Sequence, residues 1–340
     1  MNIHTLGIDI AKSVFQLHGI DEDGVPVLTK KLRRGEFLKF LSRLQPCLVG
    51  IEACATSHYW ARELTTLGHD VRLIPPSYVK PYVKRQKNDA ADAEAICEAV
   101  SRPNMSFTPI KTPEQQSVLV LHRGRDLLMR QRTMLLNAIR AHLAEFGISL
   151  PQGPKQITAY VERIQQGEII DDELPVLATN GLIAMGNQLE SLEHEVAVIE
   201  THLKQWHKNS VDSQRLESIP GIGLITATAL AASVCDPAQF KSSRHFAAWI
   251  GLVPRQNSSG GKERLGRITK MGNRYLRRLL VIGATSVIRH SSKHDHHTSR
   301  WIAKLKETKP HRLVTVAIAN KTARIVWALM SKDEHYKVTA

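Results

Sequence analysis

The chain has 340 residues with 42% hydrophobic content, which is enough for two or three globular parts with separate cores. Its 46 Lys and Arg residues against 32 Asp and Glu residues leave a net charge of +14, which indicates a polyanionic partner such as nucleic acid. Four cysteines without Cys-x-x-Cys spacing argue against a zinc ribbon or a disulfide framework, and no signal peptide or membrane-length apolar run is expected, so the prediction is a cytoplasmic protein without a membrane partner.

The first part of the chain has the element order of an α/β domain. Short apolar runs predict three strands at 4–10, 14–20 and 25–32, which would form an antiparallel meander. Helices at 35–44 and 57–67 then alternate with strands at 47–51 and 71–74. Three strands followed by alternating helices and strands predict an RNase H-like domain over residues 1–110.

Four acidic residues lie where these elements end or begin. Asp9 ends the first strand, Glu52 follows the fourth, and Asp89 and Asp92 open a helix that Asn88 should cap. The spacing of three places Asp89 and Asp92 on one helix face. Each residue alone could be a turn, strand-end or helix-terminal charge. Together they predict a divalent-metal site for phosphoryl transfer, because such sites gather carboxylates from separate elements.

Basic residues precede this helix, and they could hold a phosphate backbone or simply form a solvated loop. They are Lys80, Lys84, Arg85 and Lys87.

Residues 111–210 change to long helical segments that are interrupted around residues 151–154. In the second segment, apolar residues alternate spacings of three and four, which predicts a coiled-coil seam. The seam consists of Leu182, Met185, Leu189, Leu192, Val196, Ile199, Leu203 and Trp206. Its partner is either the earlier helix, which carries Leu121, Leu128 and Leu135, or the same helix in another subunit. The arginines of that earlier helix are interpreted as a solvated face; they are Arg123, Arg125, Arg130, Arg132 and Arg140.

The last part, residues 211–340, is predicted to be mostly helical. The sequence Ser-Ile-Pro-Gly-Ile-Gly at 218–223 indicates a hairpin between helices, where Gly221 and Gly223 let backbone amides approach a phosphate. A tight turn without a ligand is the alternative. A glycine-rich loop over residues 251–261 leads into a cationic run opposed only by Glu263, which we interpret as a DNA-contacting face. The cations are Arg255, Lys262, Arg264, Arg267, Lys270, Arg274, Arg277 and Arg278.

Two other groups of residues in this part can be interpreted either as structural or as chemically active. Ser258 and Ser259 are turn formers by default, but a hydroxyl among cations can also attack a phosphodiester and form a phosphoserine linkage. Four histidines fit no standard zinc spacing, so no metal is assigned to them. They are His290, His294, His296 and His297.

As a set, these motifs resemble those of the DEDD insertion-sequence transposases, a family described as bridge-RNA-guided DNA recombinases. The N-terminal resemblance rests on Gly-Ile-Asp-Ile-Ala-Lys at 7–12, Gly-Ile-Glu-Ala at 50–53 and Asn-Asp-Ala-Ala-Asp-Ala at 88–93. The C-terminal resemblance rests on residues 218–223, 246–254, 259–260 and 266–270. It implies a RuvC-like N-terminal domain, a coiled-coil connector and a C-terminal transposase domain with a helix-hairpin-helix element.

The resemblance also implies a mechanism. Asp9, Glu52, Asp89 and Asp92 would hold Mg²⁺ (or Mn²⁺), and a serine would attack DNA to give a covalent intermediate. Ser259, directly before Gly260, is the expected nucleophile, and Ser258 is the second candidate. The implied partners are donor and target DNA, a noncoding bridge RNA, and further copies of the chain in a dimer or tetramer. In a tetramer of the family, the two active-site halves meet across subunits. The implied location is the prokaryotic cytoplasm, on DNA.

Three alternatives stay open at this point. A junction-resolving nuclease would use the same carboxylates with water and without a covalent step. A sugar-kinase-like ATPase also opens on a Gly-Ile-Asp strand, but it needs glycine-rich phosphate loops, and Ile-Ala-Lys-Ser follows Asp9 here. A noncatalytic DNA-binding assembly protein would have no use for the four carboxylates.

Overall fold

A five-stranded mixed sheet is the centre of the N-terminal unit, Met1–Pro113, in a computed structural model that describes residues 2–84, 88–168, 174–293 and 297–337. The strand order is β3-β2-β1-β4-β5, in which β1, β2 and β3 are antiparallel and β1, β4 and β5 are parallel. The predicted meander and the two predicted later strands are thereby confirmed, and the structure adds that the later strands are parallel to β1. The strands are β1 (Thr5–Ile10), β2 (Val14–Ile20), β3 (Pro26–Arg33), β4 (Leu48–Glu52) and β5 (Asp70–Ile74).

Helices cover both faces of this sheet. On one face Phe15, Phe37 and Trp60 form a buried cluster in which each pair of rings packs edge to face, the geometry that aromatic quadrupoles favour. The helix at Asp89–Val100 packs on the other face, against β1 and β4. The helices are α1 (Arg34–Leu41), α2 (Ser57–Thr66), α3 (Pro76–Val79) and α4 (Asp89–Val100).

The second unit, Glu114–Ala340, is mainly helical, as predicted for this part of the chain. Its long helices are α5 (Pro113–Glu145), α6 (Pro154–Gln165) and α7 (Val176–Asn209). They are followed by α8 (Val211–Glu217), α9 (Leu224–Ser233), α10 (Ser243–Ile250), strands β6 (Pro254–Gln256) and β7 (Leu265–Ile268), α11 (Arg274–His290), α12 (His297–Thr308) and α13 (His311–Lys332). The predicted boundary between a connector and a C-terminal domain, near residue 210, lies inside this unit and stays a prediction.

Helix α7 packs its apolar seam against α5 and α6 of the same chain. Leu182 and Leu189 share a core with Leu136 and Ile139 of α5, and Leu203 packs with Val118. All eight seam residues are buried or half-buried. Of the two partners left open by the sequence, the structure therefore shows the earlier helix of the same chain.

Two arginines of α5 correct the interpretation of a solvated face. Arg125 pairs with Glu200 of α7 at 2.6 Å, and Arg132 pairs with Glu193 at 2.6 Å. Both arginine side chains are about four-fifths buried. These ion pairs tie α5 to α7, because a long side chain can cover apolar surface with its stem and still reach a carboxylate with its head.

Helix α13 runs through the C-terminal core. By length and composition it could cross a membrane, since it has 22 residues and an 18-residue window of mean hydropathy 1.3. The expectation that no apolar run is long enough to span a membrane is therefore wrong for the length and composition of α13. Half of the window is buried inside the unit, where Ile318 and Val326 pack with residues of α9, α10 and α11. A core helix of this kind passes the same test as a spanning one.

The four cysteines, all within the described residues, form no disulfide with one another. Burial raises the pKa of Cys47 and of Cys97 to about 11, so neither thiol is a reactive thiolate at neutral pH.

A buried histidine joins three helices of the second unit and makes its stability sensitive to acid. His122 of α5 is 1% exposed, and its Nδ1 lies 3.0 Å from the Tyr275 hydroxyl of α11. Its Nε2 lies 3.1 Å from Thr228 Oγ1 of α9, and that hydroxyl donates to the Leu224 carbonyl. A neutral ring fits this arrangement, because Nε2–H donates to Thr228 and Nδ1 accepts from Tyr275.

Acid is expected to destabilise the protein through this ring. Burial, helped by the charge of Arg125, lowers the pKa of His122 from 6.5 to about 4. Between these values the unfolded chain binds a proton that the folded chain does not, so stability falls as the pH falls. The expected loss between pH 7 and pH 5 is about 2 kcal/mol from this residue. Urea unfolding at both pH values tests it: His122→Gln should lose correspondingly less, and an equal loss in both proteins would contradict it.

Candidate active site

The position of α4 is set by glycines on two neighbouring strands. A Cβ at Gly7 of β1 would collide with the Ala93 carbonyl and the Cys97 amide of α4. A Cβ at Gly50 of β4 would lie 2.8 Å from Cβ of Val100. Helix α4 therefore lies directly on the sheet, and its first turn is held beside the end of β1.

The first turn of α4 is capped as predicted. The Asn88 side chain accepts a hydrogen bond from the Ala91 amide at 2.7 Å. This cap fixes the start of the helix, so Asp89 and Asp92 both lie in its first turn.

Three of the four predicted carboxylates are brought together. Asp9, Asp89 and Asp92 can each offer one carboxylate oxygen such that the three atoms lie within 4.8 Å of one another. Asp9 and Asp92 are half-buried, and Asp89 is exposed. Strand β1 and helix α4, which are far apart in the sequence, thus bring their carboxylates to one point.

Glu52 stands outside that group of three but is electrostatically coupled to it. It ends β4, which pairs directly with β1. Burial raises the pKa of Glu52, and the charges of Asp9 and Asp92 raise it further. Like charges this close repel one another, and a bound cation would relieve that repulsion.

The donor set suits a hard divalent cation. Every side chain in the cluster offers carboxylate oxygen, which Mg²⁺ and Mn²⁺ prefer, and none offers the sulfur or imidazole typical of zinc sites. The residues present therefore fit the expected metal.

The structure describes only some of the basic residues that precede α4. Lys84 pairs with Glu94 at 2.6 Å, so its charge is shared with a carboxylate of α4. Arg85 and Lys87 lie outside the described residues.

In the second unit, the two candidate serines occupy the tip of a short hairpin formed by β6 and β7. The Ser258 hydroxyl accepts a hydrogen bond from the Arg264 amide at 3.1 Å and is 3.4 Å from the Gln256 side-chain amide. Ser259 is exposed, and across the described part of the chain its hydroxyl has no hydrogen-bond partner. The two neighbours thus differ: Ser258 braces the hairpin, and Ser259 presents its hydroxyl to solvent.

The base of this hairpin is closed by Arg277, in a role that the sequence did not predict, and by Gly272. Arg277 Nη1 donates to the carbonyls of Ile250 and Met271 at 2.8 and 2.9 Å, which joins the segments entering and leaving the hairpin. Gly272, at φ +74°, packs so closely on the Trp249 carbonyl that no side chain would fit. Arg277 was predicted to contact DNA, but its guanidinium is directed at protein carbonyls.

The other predicted cations divide into two groups. Arg278 forms an ion pair with Asp126 of α5. The remaining six are exposed and, among the residues described, have no carboxylate partner; they are Arg255, Lys262, Arg264, Arg267, Lys270 and Arg274. The hairpin and the start of α11 therefore present a face of excess positive charge, on which Glu263 is the one carboxylate among the described residues.

The predicted hairpin between helices is confirmed at 218–223, between α8 and α9. Gly221, at φ +86°, contacts Gly283 of α11 backbone to backbone. Gly223 precedes α9, whose N-terminus receives no side-chain cap from the described residues, and a Cβ added at Gly223 would meet no other atom within 4 Å. A groove of about 650 Å³ adjoins both glycines and is also lined by Arg130 and Arg278.

The histidine group has no metal-binding geometry in its described members. His290 Nδ1 lies 2.9 Å from the Ser286 carbonyl, and His297 begins α12. His294 and His296 lie outside the described residues.

Two family models match the chain. One, described as "Transposase" and named for DEDD transposases of the IS110 type, matches residues 6–148. The other, described as "Transposase IS116/IS110/IS902 family", matches residues 213–299. The first match contains all four carboxylates, and the second contains both serines and the hairpin between α8 and α9.

Three relatives are similar over nearly the whole chain. A probable family 20 transposase of Pseudomonas aeruginosa is 46% identical over 338 residues, which cover 99% of both chains. The transposase for insertion sequence element IS1111A of Coxiella burnetii is 41% identical and covers 100% of this chain and 93% of its own. The transposase for IS1328 of Yersinia enterocolitica is 40% identical, over 97% of this chain and 98% of its own.

Proposed function

Because the chain belongs to the IS116/IS110/IS902 family of insertion-sequence transposases, we propose that it cuts and rejoins DNA strands through a phosphoserine intermediate. The family assignment removes the sugar-kinase alternative. One observation carries the chemical proposal: carboxylates of β1 and α4 converge within 4.8 Å, as metal-dependent phosphoryl transfer requires.

The acidic half of the site belongs to the N-terminal unit, to which we assign an RNase H-like, RuvC-like fold. Asp9, Asp89 and Asp92 would hold Mg²⁺ or Mn²⁺ together with Glu52. When bound, such an ion supplies Lewis-acid polarisation of a phosphoryl oxygen and neutralises developing charge. The protein's own contribution is to hold Asp89 and Asp92 beside Asp9, because the close contact of Gly7 with α4 fixes that helix on the sheet.

The nucleophilic half is the serine hairpin. The Ser259 hydroxyl gives up its proton, its Oγ bonds to phosphorus, and the bond from phosphorus to one deoxyribose oxygen breaks. That oxygen takes up the proton released by Ser259, relayed through water, and leaves as a DNA hydroxyl. Attack by a hydroxyl of another strand reverses the bond changes, joins the new strands and frees Ser259. The hydrogen bond that occupies Ser258 supports Ser259 as the nucleophile.

The exposed cations of the hairpin would bind phosphates on either side of the scissile bond. Neutralising several phosphates with Arg and Lys gives strong, salt-dependent affinity for DNA. We further propose that a noncoding bridge RNA supplies sequence recognition, and that the acidic and serine halves from different copies of the chain act on one phosphodiester in a dimer or tetramer.

The proposal is tested by trapping the intermediate. Wild-type protein is incubated with end-labelled DNA that carries the joined ends of its element, with any copurified RNA retained, in Mg²⁺ or in EDTA. We expect a denaturant-resistant protein–DNA adduct in Mg²⁺ only. Mg²⁺-dependent nicks without an adduct would instead show a hydrolytic nuclease, and no cleavage at all would favour a noncatalytic DNA-binding protein.

A further inference from the structure

A wide groove lies beside the serine hairpin, between strand β7 and helices α12 and α13. Its volume is about 870 Å³. Ile268 and Leu313 contribute apolar surface, Trp301 contributes an indole, and the cations are Arg267, Lys321 and Arg324. The groove thus combines apolar walls with positive charge, and one of its walls is the strand that follows the two serines.

Within the described residues, the three cations have no carboxylate partner. None of them forms an ion pair within the described residues, and no described Asp or Glu lines the groove. In the same unit Arg125 and Arg132 do have carboxylate partners. Unpaired cations in a concave surface concentrate positive potential there and favour an anionic ligand.

Lys321 is the cation that most clearly favours an anionic ligand in the groove. Its Nζ lies 4.6 Å from the centroid of the Trp301 ring, and the residue is half-buried. Burial lowers the pKa of Lys321, because removing water disfavours the ammonium form. An anion bound in the groove would restore the interactions that this ammonium has lost.

We propose that this groove binds an unpaired stretch of DNA next to the strand that is cut, an inference that rests on the proposed function. Arg267, Lys321 and Arg324 would contact its phosphates, and one or two bases would lie against Ile268, Leu313 and the Trp301 indole. Groove binders of single strands combine these features: cations follow the backbone, and aromatic or apolar surfaces receive bases.

The apolar walls argue for a single strand over a duplex. In a duplex the base faces are stacked inside, so a protein meets phosphates and base edges. An unpaired strand exposes its base faces and can use both the cations and the apolar surface. The volume agrees, because about 870 Å³ is the size of a small-ligand pocket, suited to one or a few nucleotides.

Binding of a labelled oligothymidylate tests the proposal in the full-length protein. Fluorescence anisotropy is measured in EDTA, where no cleavage occurs, with a duplex of equal length for comparison. Arg324→Gln and Trp301→Leu should each weaken single-strand binding about tenfold and duplex binding much less. Arg312→Gln is the matched control, because Arg312 is an exposed arginine of the same helix that does not line the groove.

A second measurement tests the contact with Trp301 in the wild-type protein, so that the result does not depend on correct folding of the Trp301 variant. An oligonucleotide with 5-iodouracil is photocrosslinked to the wild-type protein, and the modified peptide is identified by mass spectrometry. We expect the crosslink on Trp301. Thermal melting of each variant, compared with the wild type, identifies any loss of affinity that comes from unfolding.

Several results would overturn the inference. They are equal losses for Arg312→Gln and Arg324→Gln, equal losses for duplex and single strand, a crosslink outside the groove, or competition by polyglutamate as effective as unlabelled oligothymidylate. The two proposals fail separately. Trp301-dependent binding without any covalent adduct refutes the phosphoserine step alone, and an adduct without Trp301-dependent binding refutes the groove alone.

Discussion

Replacing Ser259 by alanine is expected to abolish the covalent protein–DNA adduct, with strand cleavage lowered by at least about 10⁴-fold. The physical reason is that the methyl group has no oxygen to bond to phosphorus, so the first step has no nucleophile. Binding of uncleaved DNA should persist, because the exposed cations of the hairpin are unchanged. Denaturing electrophoresis of the labelled DNA measures the adduct, and anisotropy measures binding.

Ser258→Ala is the matched control for this variant. The Ser258 hydroxyl accepts from the Arg264 amide, and losing one such hydrogen bond costs about 1 kcal/mol. The adduct should therefore still form, at a rate lowered by roughly fivefold through a looser hairpin. If Ser258→Ala abolishes the adduct and Ser259→Ala preserves it, the roles of the two serines are reversed.

Replacing Asp92 by asparagine is expected to lower Mg²⁺-dependent cleavage by about 10³-fold or more. The amide keeps the size of the side chain but removes a negative charge from the cluster with Asp9 and Asp89. Cation affinity should fall with it, which titration calorimetry with Mn²⁺ measures independently of cleavage. Without metal the variant should be at least as stable as the wild type, because one source of repulsion is gone and the pKa of Glu52 moves back toward its ordinary value.

Glu98→Gln is the control on the same helix. Glu98 lies near the other end of α4, is half-exposed and pairs with Arg102, so its loss should leave cleavage and Mn²⁺ binding unchanged. Cleavage by Asp92→Asn at the wild-type rate would show that the acidic cluster is not the metal site.

The periodicity of apolar residues was sufficient to predict most of the strands and helices of the N-terminal unit. All five strands and the capped helix α4 lie within a few residues of their predicted positions, because alternation and capping are local properties of the chain. The acidic residues could be selected for the same reason, since each one ends or begins a predictable element. What the sequence did not contain is their separation, which depends on the close contact of α4 with Gly7 and Gly50.

Charge was the least informative property. Arg125, Arg267 and Arg277 are equivalent in a sequence, yet one pairs with Glu200, one lines an open groove, and one donates to two carbonyls. The role of an arginine depends on which acceptor lies within reach, and that acceptor is often distant in the chain. The same holds for Ser258 and Ser259: the Ser258 hydroxyl accepts a hydrogen bond from the amide of a residue six positions away, and the Ser259 hydroxyl faces solvent.

By itself, the sequence determined the order of elements, the family and the residue types available for chemistry, because these follow from local patterns and motifs. Only the tertiary structure decided that α7 packs on α5 of the same chain, since a heptad seam looks the same whichever helix covers it. It also decided that α13 is half-buried in a core, since hydropathy is the same for a core helix as for a spanning one. Both outcomes depend on contacts between residues far apart in the chain, which no local pattern encodes.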